Sequence, residues 1–235
     1  MRVAVIVPAY LTGPALLEVL EKAAALVGKE NVIVIDDGSP DGYPGEAQRL
    51  GYTVLRHEQN AGKGEALKTG FRWALAQDYA GVITMDGDGQ HDASLITRLL
   101  EKARMGGADI IVGSRMRDVR TMPRIRVLVN RITSWVVSRM AGLRIEDSQS
   151  GFRFISADVL RAVELEGSRY DMESEILIKA GLQGFRIDAI PIPTLYGTQQ
   201  SYIRPFKDAI CFMKILVRCR GWAREQGHAR SRDKR

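Results

Sequence analysis

Short, uniformly apolar runs alternate with amphipathic stretches through the first half of the chain, and that alternation restricts the fold more than any other feature. The runs lie at 3–7, 32–35, 53–55, 82–85 and 110–112, and the stretches between them at 14–27, 63–76 and 93–104. A strand that is apolar throughout, rather than at every second residue, is covered on both faces. Strands joined through helices run parallel, by right-handed crossovers. The expectation is an α/β fold, a mostly parallel central sheet with helices on both faces.

After about Arg115 the pattern changes. A long basic helix is expected at 124–141, a loop at 147–152, helices at 158–165 and 172–182, and a strand at 186–190 leading into Pro191 and Pro193. A last helix is expected at 205–220. No Gly/Ser-rich linker separates the halves, so 1–115 and 116–205 are read as two halves of one domain, followed by an amphipathic helix and basic tail at 206–235. At 235 residues with 45% apolar and 26% charged side chains, the chain suits one sizeable core and excludes general disorder. Cys211 and Cys219 match neither a disulfide framework nor a zinc site, which points to a reducing compartment.

No apolar run reaches the length of a spanning helix, and no targeting segment is visible before the first strand. The last eighteen residues hold seven Lys/Arg against two Asp/Glu, five of the chain's formal +6. The basic character therefore belongs to a tail, and nothing in the body suggests nucleic-acid binding.

Ligands of an open parallel sheet bind beyond the carboxyl ends of its strands. The residues found there are Pro8-Ala9-Tyr10, Asp36-Asp37-Gly38-Ser39, Asp86-Gly87-Asp88-Gly89-Gln90 and Gly113-Ser114-Arg115. Extended backbone would point Asp86, Asp88 and Gln90 the same way, as oxygen ligands for Mg²⁺ or Mn²⁺ completed by phosphate oxygens. The alternative is a polar turn closing a buried strand. Asp36 and Asp37 suit a base N–H or a ribose hydroxyl, or equally a turn; Tyr10 suits base stacking or half-burial. Asn60-Ala61-Gly62-Lys63-Gly64 opens a helix whose N–H groups suit phosphate, without the spacing of a Walker loop.

Together these segments resemble the family 2 inverting glycosyltransferases of Rossmann-like GT-A fold. The stretches are Val5 to Tyr10, Ile35 to Asp41, Asn60 to Gly64, Met85 to His91 and Gly113 to Arg115, with Ser150-Gly151-Phe152 after Asp147 and the Glu173 to Lys179 helix extending the likeness to about residue 205. Within that family the chain looks most like the polyprenol-phosphate (dolichol-phosphate) hexosyltransferases. The resemblance implies a GDP- or UDP-linked sugar donor and a lipid phosphate acceptor. It implies nucleotide contacts at Pro8, Tyr10, Asp37 and Lys63, ribose and metal at Asp86, and metal and diphosphate at Asp88 and Gln90. Arg115, Arg126 and Ser201 would lie near phosphates. Leu11-Thr12 departs from the Asn-Glu common after the tyrosine, and the 196–201 loop lacks the arginines often found there.

The expected reaction is a single inverting displacement, with Arg115 gripping phosphate bidentately. A phosphate acceptor needs no base; a hydroxyl acceptor would need one, and Asp147 is the candidate, or else a turn residue. His91 is expected to trail the metal loop as a supporting or surface residue. A sugar-1-phosphate nucleotidyltransferase would instead begin with a Gly-rich segment ending in Arg, and an inactive interaction module would not need Asp86-x-Asp88. The C-terminal helix, with Phe206, Ala209, Ile210, Met213, Leu216 and Val217 on one face and a basic flank, is expected either to hold a cytoplasmic, peripheral enzyme at an anionic membrane surface or to pack on the domain.

Overall fold

The computed structural model of the protein describes residues 1–120, 122–169, 171–193 and 212–223. In chain order the elements are β1 (Val3–Ala9), α1 (Ala15–Val27), β2 (Val32–Asp36), α2 (Tyr43–Arg49), β3 (Thr53–Arg56), α3 (Lys63–Ala76), β4 (Gly81–Thr84), α4 (Leu95–Arg104), β5 (Ile110–Ser114), α5 (Arg124–Ala141), β6 (Arg153–Ser156), α6 (Ala157–Ala162), α7 (Met172–Leu182) and β7 (Ile187–Pro191). Residues 212–223 are helical.

Among the described residues seven strands form one sheet in the order β3-β2-β1-β4-β6-β5-β7. All neighbours are parallel except the pairs that β6 makes with β4 and β5. The alternation of side chains along each strand builds two cores. In β1, Ala4 and Ile6 face α3, α5, α6 and α7, while Val3, Val5 and Val7 face α1, α2 and α4. Gly70 lets α3 lie close on the sheet, since a Cβ there would come within 2.5 Å of Ile6 Cγ2.

The five apolar runs are β1 to β5, as expected. Two elements differ. The short helix α2 lies in a stretch with no clear apolar period, and β6 lies just after the expected loop. β6 is easily missed because its first residue is Arg153, a charged side chain that is nevertheless 2% exposed. The helix expected at 158–165 is the shorter α6, capped by the Ser156 hydroxyl, which accepts from Val159 N–H.

The C-terminal helix is described from 212 onward, so Phe206, Ala209 and Ile210 lie outside the described residues. Ile215 and Cys219 are buried one turn apart, and Phe212 and Leu216 pack on the same core as α7. Met213 and Val217 face outward, 59% and 68% exposed. This part of the helix therefore packs on the domain, with a face rotated from the one expected. Burial pushes the Cys219 thiol up to about 12, as suits a packing residue.

Candidate active site

A crevice opens where β1 and β4 part. Their pairing ends at Ile6 with Thr84, while β1 stays paired with β2 as far as Ala9 with Asp36. Met85 N–H donates to the Ile6 carbonyl at 3.1 Å, so even-numbered residues of β1 turn their backbone groups toward β4. Pro8 therefore lacks its N–H where no ladder partner stands. The chain winds outward from β1 to β3 and then returns to β4, which makes this gap the topological switch point.

The acidic turn after β2 braces the loops around the crevice. Asp37 accepts from the N–H groups of Ala61 at 2.9 Å and Gly62 at 2.8 Å, and its Oδ1 lies 2.8 Å from His57 Nδ1. Asp36 accepts from Ser39 N–H at 2.8 Å and lies 3.2 Å from Arg56 Nε. Ser39 Oγ accepts from Leu11 N–H, and Asp41 accepts from Ser39 Oγ and Gly13 N–H. Leu11 itself sits at φ 53, a left-handed conformation unusual for a branched residue, beside half-exposed Tyr10. Gly38, at φ +69, admits no Cβ because Gln59 backbone lies 2.8 Å away.

Below these loops, Lys63 begins α3 and points into the crevice. Its Nζ lies 2.6 Å from Asp86 Oδ1 and 2.8 Å from Glu173 Oε1. Burial opposes the charge on Lys63, but the two carboxylates outweigh it and raise the ammonium above its ordinary value. Burial likewise opposes ionisation of Asp86, yet Lys63 and His91 hold it well below the usual carboxylate range. His91 Nε2 stands 3.6 Å from Asp86 Oδ2, its ring stacked on Phe152. Asp88 accepts from Gln90 N–H at 3.0 Å, and burial together with the charge on Asp86 pushes its carboxyl up.

At the end of β5, Arg115 and Asp147 are locked together. Nε and Nη2 of Arg115 donate to the carboxylate at 2.9 and 3.0 Å, and the N–H groups of Arg115 and Gln149 add bonds of 3.2 and 3.1 Å. Asp147 is fully buried. Burial alone would raise its pKa, but Arg115 outweighs burial and holds it below its ordinary value. The fork expected to grip phosphate is thus turned on Asp147, leaving Nη1 and one Nη2 hydrogen for a ligand. Arg126 lies exposed in the first turn of α5, and Ser201 is outside the described residues.

The glycosyl transferase family 2 model matches residues 4–161, which carry all of this geometry except Glu173. The chain belongs to glycosyl transferase family 2. It is 33% identical over 204 residues to the undecaprenyl-phosphate mannosyltransferase of Micrococcus luteus, covering 82% of this chain and 83% of that one. It is 31% identical over 213 residues to the UDP-N-acetylglucosamine–dolichyl-phosphate N-acetylglucosaminyltransferase of Methanococcus voltae, covering 80% and 83%. The glucosyl-3-phosphoglycerate synthase of Mycobacterium tuberculosis, solved with Mn²⁺, UDP-glucose and phosphoglyceric acid, shares the fold. It has a TM-score of 0.70 at 22% identity, over 94% of this chain and 80% of that one.

In this glycosyltransferase the donor set at the crevice suits a hard divalent cation that takes part of its coordination from a substrate. Among the described residues no three His, Cys, Asp or Glu side chains form a cage. Asp86 and Asp88 are two carboxylates whose mutual repulsion is felt by Asp88, and a cation between them would relieve it. The sequence gives three further participants no role. Glu173 is a buried carboxylate on an apolar helix. Gly151 forms the floor, where a Cβ would stand 2.8 Å from Lys63 Nζ and 3.0 Å from Asp86 Oδ2. Arg153 donates to the carbonyls of Ser148, Ser150 and Glu173, tying the 148–151 loop to the start of α7. The glycine and arginine could have been suspected from Ser150-Gly151-Phe152-Arg153, a polar segment set among apolar elements.

Proposed function

We propose that this glycosyltransferase moves a hexose from a GDP- or UDP-linked sugar to a polyprenyl phosphate, with inversion at the anomeric carbon, on the cytoplasmic face of a membrane. The observation that carries this reading is the lock between Asp147 and Arg115. A hydroxyl acceptor would need a carboxylate to take its proton, and Asp147 is buried with four donors on its two oxygens. Glu173 is held by a single ion pair, with Lys63 Nζ 2.8 Å from its Oε1. An ionised phosphate needs no base. The two lipid-phosphate relatives named above share that acceptor class while differing in sugar, which supports the same assignment.

A phosphate oxygen of the acceptor attacks the anomeric carbon as the bond to the donor diphosphate breaks, and the nucleoside diphosphate leaves with the electron pair. Mg²⁺ or Mn²⁺ held by Asp86, Asp88 and Gln90 would supply charge neutralisation to that leaving group. Arg115, oriented by Asp147, directs its remaining N–H groups to phosphate. Lys63 keeps Asp86 ionised and in place, and Asp37 holds the start of α3 against the end of β2. Pro8, Tyr10 and Asp36 are assigned to the nucleotide, Tyr10 being exposed for stacking.

The test is transfer from GDP-mannose, UDP-glucose and UDP-N-acetylglucosamine to undecaprenyl phosphate, with Mn²⁺ or with EDTA, read by mass spectrometry of the lipid. One donor should give a glycosyl phospholipid, and EDTA should abolish it. Transfer to sugar hydroxyls with none to the lipid phosphate would overturn the acceptor assignment.

A further inference from the structure

Helix α5 carries an apolar stripe that nothing in the described structure covers. Ile125, Leu128, Val129, Ile132 and Trp135 recur at helical spacing and are each 49–67% exposed. Singly exposed apolar residues are ordinary, but five in one stripe form a contiguous patch of the kind that marks an interaction surface. Beside the stripe, between α5 and the 142–146 turn, lies an open cleft of about 690 Å³. Arg131, Arg139 and Arg144 line it, with Trp135 at its edge and the Ser134 and Ser138 side chains at its back. Among the described residues none of these three arginines forms a salt bridge. The one acid in the cleft, Glu146, is neutralised by Arg117, which donates to it at 2.8 and 2.9 Å and holds its carboxyl low.

We propose that this cleft takes the phosphate headgroup of an anionic phospholipid while the α5 stripe enters the bilayer beside it. Three unpaired guanidinium groups in a concavity suit a phosphate, which they can bind through paired N–H donors. The apolar stripe along the same helix excludes a purely soluble anion as the natural occupant, because it would stay in water. An apolar face flanked by cations and a tryptophan is the composition of a helix lying in the membrane interface. None of Lys63, Asp86, Asp88, Arg115 and Asp147 lines this cleft, so its residues are distinct from those of the crevice. The proposal rests on the lipid-acceptor reading for its purpose, but its test measures bilayer binding and not transfer, so either can fail alone.

Co-sedimentation with vesicles decides it. The full chain should bind vesicles containing phosphatidylglycerol and ignore pure phosphatidylcholine at low salt. Arg131→Gln with Arg139→Gln should weaken binding roughly thirtyfold, and Leu128→Ser with Ile132→Ser by at least about tenfold. All these positions are exposed, so the variants should melt with the wild type. Arg49→Gln with Arg72→Gln removes two exposed cations elsewhere and should leave binding unchanged. The proposal is overturned if the wild type ignores anionic vesicles, if either α5 variant binds as the wild type does, or if the control pair loses as much as the cleft pair.

Discussion

Replacing Asp147 with Asn separates a positioning carboxylate from a catalytic base. The amide keeps the shape but leaves the Arg115 charge without its partner in a mostly buried place, which should destabilise the fold by on the order of 3 kcal/mol. That corresponds to a fall in Tm of about 6–12 °C, read by calorimetry. Activity should fall in parallel, and Arg115→Lys should reproduce both losses, because Lys cannot make the paired contact. A base would lose rate with stability intact. Because the folded state holds Asp147 below its ordinary pKa, its contribution is complete above the unfolded value near 4 and is lost as pH falls below it. The wild type should therefore lose stability in that acid window more steeply than Asp147→Asn. At Asp88 the expected change is different: Asp88→Asn should keep its Tm while Mn²⁺-dependent affinity for the nucleoside diphosphate falls at least about tenfold, by calorimetric titration. Asp88, Lys63 and Arg115 could be picked out beforehand because they follow strands or open a helix, and Asp147 because it is an acid in the loop after α5. Whether a carboxylate is free or locked depends on what faces it from a distant segment, and Arg115 stands 32 positions from Asp147.

Among the elements, β6 and the loop before it were the least legible, and they shape the site most. The Arg153 guanidinium is buried and serves three backbone carbonyls, so Arg153→Met strands those acceptors. A cost of about 4 kcal/mol by denaturant unfolding is expected, since few surface changes approach that size. Gly151→Ala should act in the opposite sense. Its Cβ would displace the tips of Lys63 and Asp86, which are flexible ends and not backbone, so stability should change by less than about 1 kcal/mol. Displacing Lys63 and Asp86 by even a fraction of an ångström should lower kcat/KM by about tenfold or more. A loss of stability without a loss of rate in Gly151→Ala would remove Gly151 from the site. Apolar periodicity is a signal about which face is covered. It is silent where a charged residue is buried, and that is why Arg153 hid a strand and why nothing distinguished Glu173 in the acidic first turn of α7 from a solvated residue.

Across the whole molecule, the C-terminal helix takes one of the two places the sequence left open to it: its described part packs on the domain, and the uncovered apolar stripe lies on α5. Ile215 is fully covered, so Ile215→Ala should cost about 2–4 kcal/mol by urea unfolding. A change near zero would mean that the helix leaves the domain in solution. The family, the parallel sheet, the order of the strand-end loops and the acidic crevice were all written in the sequence, because each depends on local periodicity or on residues adjacent along the chain. The antiparallel β6, the Arg115–Asp147 lock, the burial of Glu173 and the choice of which amphipathic helix stays exposed were decided only by tertiary structure. Each of these depends on a contact between segments far apart in sequence: α5 lends Val137 and Ala141, and the C-terminal helix Cys219, to one core, and the face each helix leaves exposed follows from where that core ends.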